Sequence, residues 1–135
     1  MSVAAAASGR QYSMALSEAH PELMRPVREV LRAHLRLWRK AALTSAAELG
    51  LTELLTNVYK HAPGTCELLV RETPDGIVVE VTDAGRALPT VKEPADDEEG
   101  GRGLFLLSMI ADDLGFEPLS GGKRVWFRLR TSGGD

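Results

Sequence analysis

Along residues 21–42 the apolar side chains Leu23, Val27, Val30, Leu31, Leu35 and Trp38 recur at helical spacing, which predicts an amphipathic helix. Pro21 suits its first turn, and Pro26 is a candidate bend. Arg28, Arg32 and Arg36 run down another face at four-residue intervals, with Arg25, Arg39 and Lys40 nearby. That stripe reads either as a solvated face or as a docking surface for an acidic partner. A second helix is predicted from Thr44 or Ser45 to His61, with Glu48 three residues after Ser45 in a capping-box arrangement and Pro63-Gly64 ending it. The runs 65–72 and 76–83 are strand-like and flank the turn sequence Thr73-Pro74-Asp75-Gly76, so they predict a hairpin. Residues 84–100 have no sustained period and carry the acidic run Asp96-Asp97-Glu98-Glu99; they predict a long loop, of the kind that serves as a lid or binding loop. A short apolar helix over 104–113 follows, entered through Gly100-Gly101-Arg102-Gly103. Two strands within 115–130 then turn at Ser120-Gly121-Gly122, and 11–16 is a candidate opening strand.

This order suits an α/β (α+β) two-layer sandwich, with helices on one face of a mixed, mostly antiparallel sheet. At 135 residues the chain is expected to form one domain over 11–131, preceded by a loose tail over 1–10. The tail has an alanine run but no cationic start or long apolar core, so it does not read as a secretory signal. The strongest apolar run, 104–111, is broken by Ser108 and far short of the ~20 residues a membrane span needs. A net charge of −3 does not advertise nucleic-acid binding, and the single cysteine, Cys66, excludes an internal disulfide or a cysteine metal cluster. The expectation is a cytoplasmic protein that does not bind the membrane.

Polar residues in two apolar settings, and one glycine-rich entry, mark the candidate chemistry. In TELLTNVYKHA, Glu53, Asn57 and His61 are each four apart and share one stripe of the second helix, either as a polar edge or within reach of one ligand. In GIVVEVTD, Asp83 falls in phase with the core-facing row Ile77, Val79 and Val81, where it either meets a ligand amino group or starts a turn with Ala84 and Gly85. Gly100-Gly101-Arg102-Gly103 before a helix is either a flexible joint or a place where converging backbone N–H groups favour phosphate. There is no Walker A loop and no GxSxG elbow; His20, His34 and His61 lack zinc-type spacing, and Cys66 reads as packing.

Taken in order, TELLTNVYKHA, VEVTDAGRALP and EEGGRGLFLLSMIADDLG resemble the N, G1 and G2 boxes of the GHKL ATPase superfamily, the ATP-binding fold of gyrases, heat-shock chaperones and histidine kinases. The resemblance spans about 16–129. The ending GFEPLSGGKRVWFRL looks most like the stand-alone bacterial branch, the anti-sigma factor serine kinases.

The resemblance implies ATP and Mg²⁺ as cofactors, with Asn57 matching the asparagine that ligates Mg²⁺ and Glu53 the carboxylate that orients or deprotonates the attacking hydroxyl. His61 matches a supporting histidine, Asp83 the aspartate that accepts from the adenine amino group, and Gly85 the glycine beside it. Gly101 and Gly103 match the lid glycines near the phosphates; Arg102, a candidate to supply a charge there, and Leu104 at the helix entry are counted with them as nucleotide-binding. Phosphoryl transfer of this kind needs mostly positioning and charge neutralisation. The implied substrate is a serine on an anti-anti-sigma (STAS-type) partner, the other partner is a sigma factor, and such proteins commonly dimerise.

This chain departs from the pattern at three places. Ala87 replaces the second glycine of the G1 box, Arg124 is read at the position of a base-binding threonine, and the acidic run precedes the phosphate loop. These departures motivate a second reading, a protein-interaction module that only senses nucleotide or does without it. Nucleic-acid binding by the arginine stripe is a third, weaker reading.

Overall fold

A computed structural model of the chain describes residues 9–85 and 102–131. The elements are β1 (Gln11–Leu16), α1 (Met24–Leu37), α2 (Thr44–His61), β2 (Cys66–Thr73), β3 (Gly76–Asp83), α3 (Arg102–Ile110), β4 (Asp113–Leu119) and β5 (Gly122–Arg130). The five strands lie in the order β1-β2-β3-β5-β4. All four pairings are antiparallel, so the parallel component that a mixed sheet would contain is not found among the described residues. The helices form a second layer in which α2 is central, touching α1, α3 and the middle strands β3 and β5.

Strict alternation builds the core between the layers. Ile77, Val79 and Val81 of β3 are buried, as are Val125, Phe127 and Leu129 of β5 and Leu68 and Val70 of β2. They meet Leu51, Leu54, Leu55 and Val58 of α2 and Leu31 and Leu35 of α1, all buried. Each such side chain contributes about 1.5–3 kcal/mol relative to exposure. Gly50 lets α2 approach the sheet closely, since a Cβ there would stand 2.5 Å from the Phe127 ring and 3.0 Å from Leu107. The tip of β1 is tied to α1 by stacking of Tyr12 on His34, with ring centroids 3.9 Å apart.

The predicted 21–42 helix divides. A 3-10 turn over Pro21–Leu23 precedes α1, and Pro26 is only the third residue of α1, inside the first turn where its missing N–H costs nothing. No bend at Pro26 is required. The helix stops at Arg39, which adopts φ 60. Lys40 N–H donates back to the Leu35 carbonyl at 2.8 Å and Arg39 N–H to that of Arg36 at 3.1 Å, a Schellman closure with arginine where glycine is usual.

The capping box predicted at Ser45 and Glu48 does not form: the N-cap of α2 has no side-chain bond, and Glu48 instead pairs with Arg32 at 2.8 Å. Arg28 reaches Thr52 at 3.5 Å, so part of the arginine stripe serves as a seam between α1 and α2. Of the predicted tail, 1–8 lie outside the described residues. Arg10 is tied down, its guanidinium on the Glu72 carboxylate at 2.7 Å and its carbonyl accepting the Glu72 N–H at 2.8 Å. Among the described residues no helix is long and apolar enough to cross a membrane.

Candidate functional site

The alternation of β3 carries Asp83 to the end of the helix-facing row, as its phase predicts, and there its side chain is 1% exposed. In register opposite it on β5 stands Lys123. The Lys123 ammonium donates to Asp83 Oδ1 at 2.9 Å, and the Gly85 N–H donates to the same oxygen at 2.7 Å. The other oxygen, Oδ2, is buried and has no hydrogen-bond partner among the described residues. A buried carboxylate oxygen left without a donor is unfavourable by about 1–3 kcal/mol or more. An N–H or O–H donor would complete this arrangement.

Gly85 joins this corner to α2. A Cβ on Gly85 would stand 2.5 Å from that of Ala62, 2.9 Å from the Lys123 ammonium and 3.1 Å from Asp83 Oδ1. Ala62 is the residue that caps α2, directly after His61. Along the axis of α2 Asn57 lies five residues before Ala62, about 7.5 Å, and Glu53 one turn farther; around the axis Asn57 is turned about 140° from Ala62. Glu53 and Asn57 are half-buried and His61 is exposed. Desolvation raises the pKa of the Glu53 carboxyl, an effect that the nearby positive charge of Lys60 partly offsets.

The glycine-rich entry is described only in part. Arg102 and Gly103 open α3 in backbone, Gly101 lies outside the described residues, and so do Ala87 and the acidic run. Leu104, matched to the binding site through the family, is 3% exposed and packs in the core. Only its main chain could face a ligand.

Arg124 requires a correction. It pairs with Thr82 across the β3–β5 register and so lies on the sheet face opposite to Asp83. There it bridges Glu80 at 3.3 Å and Glu117 at 2.7 Å. The side chain beside Asp83 is that of Lys123, one residue earlier. Its signal was present in the sequence: Lys123, Val125, Phe127 and Leu129 share one phase of a period-2 run, so Lys123 belongs to the core face and Arg124 does not.

A depression of about 610 Å³ opens at the strand ends beside this corner, bordered by Leu16, Thr65, Cys66, Asp83, Ala84 and Gly121. Neither Lys123 nor the Glu53 stripe lines it, so it adjoins the site without coinciding with it. Cys66 sits opposite Asp83 in the β2–β3 register, and burial together with the Asp83 charge pushes its thiol up to about 11. It stays protonated and is no nucleophile at neutral pH.

The family described as the histidine kinase-like ATPase domain matches residues 17–129. The chain belongs to that family, as the resemblance of its three motifs implied. No curated protein matches the chain.

Proposed function

We propose that the chain binds Mg-ATP at the Asp83 corner and is a serine/threonine protein kinase of the anti-sigma type. The observation that carries the reading is Asp83 Oδ2, a buried acceptor lacking a donor at the mouth of a histidine kinase-like ATPase sheet. In this reading Asp83 accepts from the adenine amino group, and Gly85 lacks the Cβ that would press on Ala62, Lys123 and Asp83. Asn57 would hold Mg²⁺, since Mg²⁺ at phosphates takes few protein ligands. The N-terminus of α3, opened by the backbone of Arg102 and Gly103, favours the phosphates, and Gly101 matches the family's lid glycine just before it.

With Mg-ATP bound, the nucleotide would supply the phosphoryl group and leave as ADP. Glu53 takes the proton of the attacking serine hydroxyl, and its desolvated carboxyl, with pKa moved upward, suits a general base better than a solvated one. His61 supports the stripe from its exposed end. The partner supplying the serine is an anti-anti-sigma protein of STAS type, the protein restrained is a sigma factor, and the working form is a cytoplasmic homodimer.

One observation favours a second reading, a nucleotide-sensing or nucleotide-independent interaction module on the same fold: Lys123 already neutralises Asp83 from within. Calorimetric titration with ATP and ADP, with and without Mg²⁺, separates the two. The kinase reading expects Mg²⁺-dependent ATP binding that Asn57→Ala abolishes, and partner phosphorylation that Glu53→Ala abolishes in a folded protein. Normal phosphate transfer by Asn57→Ala sinks it, and partner capture without any nucleotide binding establishes the module.

A further inference from the structure

We infer that the free edge of β1 and the outer flank of α1 form one self-pairing surface, on which a second copy of this chain continues both layers of the fold about a two-fold axis. The inference rests on the homodimer of the reading above and gives it a surface, independently of nucleotide. The two edges of the sheet differ in a way that singles out β1. The strand at the other edge, β4, carries Asp113, Glu117 and Pro118, charges and a proline of the kind that keep an edge from pairing. The edge strand β1, QYSMAL, has neither charge nor proline, and its six residues pair with β2 in unbroken register.

The Arg10 carbonyl, one step before β1, accepts the N–H of Glu72, which continues the same register. Backbone groups alternate in direction along an antiparallel ladder, so Tyr12, Met14 and Leu16 turn theirs to β2, and Gln11, Ser13 and Ala15 turn theirs outward. Among the described residues no strand pairs with those outward groups. The helix-facing side chains of β1, Tyr12, Met14 and Leu16, are only half-buried, whereas Val70, Leu68 and Cys66 opposite them are buried. The core row thus ends at this edge without cover on its outer side.

The helix layer ends on the same side. Stacking of Tyr12 on His34 holds α1 over β1. Arg28 and Arg32 reach Thr52 and Glu48 of α2, and at about 100° per residue Val30 and Leu37 lie on the opposite flank, turned away from α2. Leu37 is 66% exposed there. A six-residue edge is about 20 Å long, and over a sheet thickness of about 10 Å it offers roughly 200 Å², well short of the roughly 800 Å² per partner that a stable interface buries. A lone strand from another protein would cover the edge and leave Val30 and Leu37 in water. A second copy brings its own β1 and its own α1 flank together, and because neither presents a formal charge, no like charges meet across the axis. Antiparallel pairing keeps Tyr12 and Met14 on the helix side only if the axis passes through a residue, Ser13 or Met14, and not between two.

The test is sedimentation equilibrium of the intact chain, whose protomer mass is 14.6 kDa. Twice that mass is expected at about 50 µM, without nucleotide. Ser13→Pro removes an outward N–H that the β1–β2 ladder does not use, and Leu37→Glu sets a carboxylate on the flank of each copy; each should weaken self-association by at least about tenfold. Ser13→Ala keeps the N–H and should leave the association unchanged. If Ser13→Pro does not fold, Leu37→Glu decides, since its side chain is already exposed. A wild type that remains a monomer up to about 100 µM overturns the inference and the homodimer together, and leaves nucleotide binding to its own titration. A dimer that a folded Leu37→Glu retains undiminished overturns the inference alone and moves the homodimer to another surface.

Discussion

The Lys123 ammonium lies 2.9 Å from Oδ1 of Asp83, and the two side chains are 8% and 1% exposed. A charge pair this deep does little for stability relative to a well-packed apolar pair, yet removing one member strands the other charge at a cost of about 3–5 kcal/mol. Lys123→Met should therefore lower unfolding free energy by about that amount, while the neutral pair Asp83→Asn with Lys123→Met loses distinctly less. Urea unfolding of both variants checks this. Equal losses would show that the charge pairing is not what matters at this corner.

Glu72 sets an acid limb of stability. It accepts from Arg10 at 2.7 Å and from Lys40 at 2.7 Å, and the Arg10 bond, followed by the bond and charge of Lys40, holds its carboxyl down at about 2, against the opposing effect of burial. Because the folded value lies below the ordinary 4.5, the contribution is fully present above 4.5 and is lost as pH falls toward 2. Unfolding midpoints measured across that window should fall less steeply in Glu72→Gln than in wild type. Lys40, 12% exposed, should matter more than Arg10, 54% exposed, when each is truncated. Parallel pH curves for wild type and Glu72→Gln would remove the clamp from the account.

Much of this architecture was legible because periodicity is a local signal. The phase of Ile77, Val79 and Val81 brings Asp83 to the core face, and the spacing of Glu53, Asn57 and His61 places them on one stripe, with no tertiary information needed. What was not legible depended on contacts between elements. The capping box fails because α2 starts at Thr44 with Leu43 as its N-cap, which puts Ser45 inside the first turn, and Glu48 meets Arg32 of α1 at 2.8 Å. The family pattern points to Arg124, but a shift of one residue in a strand reverses the face, so Arg124 meets Glu80 and Glu117 while Lys123 meets Asp83. The end of α1 carries neither glycine nor proline, so nothing in Trp38, Arg39 and Lys40 announced it.

Gly50 is the point where helix propensity and packing oppose each other. Alanine would favour α2 by about 1 kcal/mol. Its Cβ, however, would meet the Phe127 ring at 2.5 Å and Leu107 at 3.0 Å, and forcing volume into a packed core costs about 1–3 kcal/mol. We expect Gly50→Ala to be destabilising by about 1 kcal/mol net. Phe127→Leu, which frees space on the facing strand, should relieve part of that loss, so the double variant is more stable than the sum of the singles. Strict additivity in denaturant titrations would mean that the close approach is not the cause.

Arg39 offers the opposite case, a site where the native residue is the unfavourable one. Its φ of 60 lies in the left-handed region, and Lys40 N–H to the Leu35 carbonyl at 2.8 Å holds it there. A residue with a Cβ gives up about 1–2 kcal/mol in that conformation. Glycine avoids the clash but loses about 0.5–1 kcal/mol through the greater freedom of its unfolded chain. Arg39→Gly should therefore raise unfolding free energy by about 0.5–1 kcal/mol, with the arginine side chain exposed and little to lose. Arg39→Ala keeps the Cβ and should bring no gain. That contrast assigns the effect to backbone conformation, because both variants lose the positive charge that ordinarily favours the end of α1, and only the glycine variant relieves the left-handed backbone; an equal gain in Arg39→Ala would overturn the assignment.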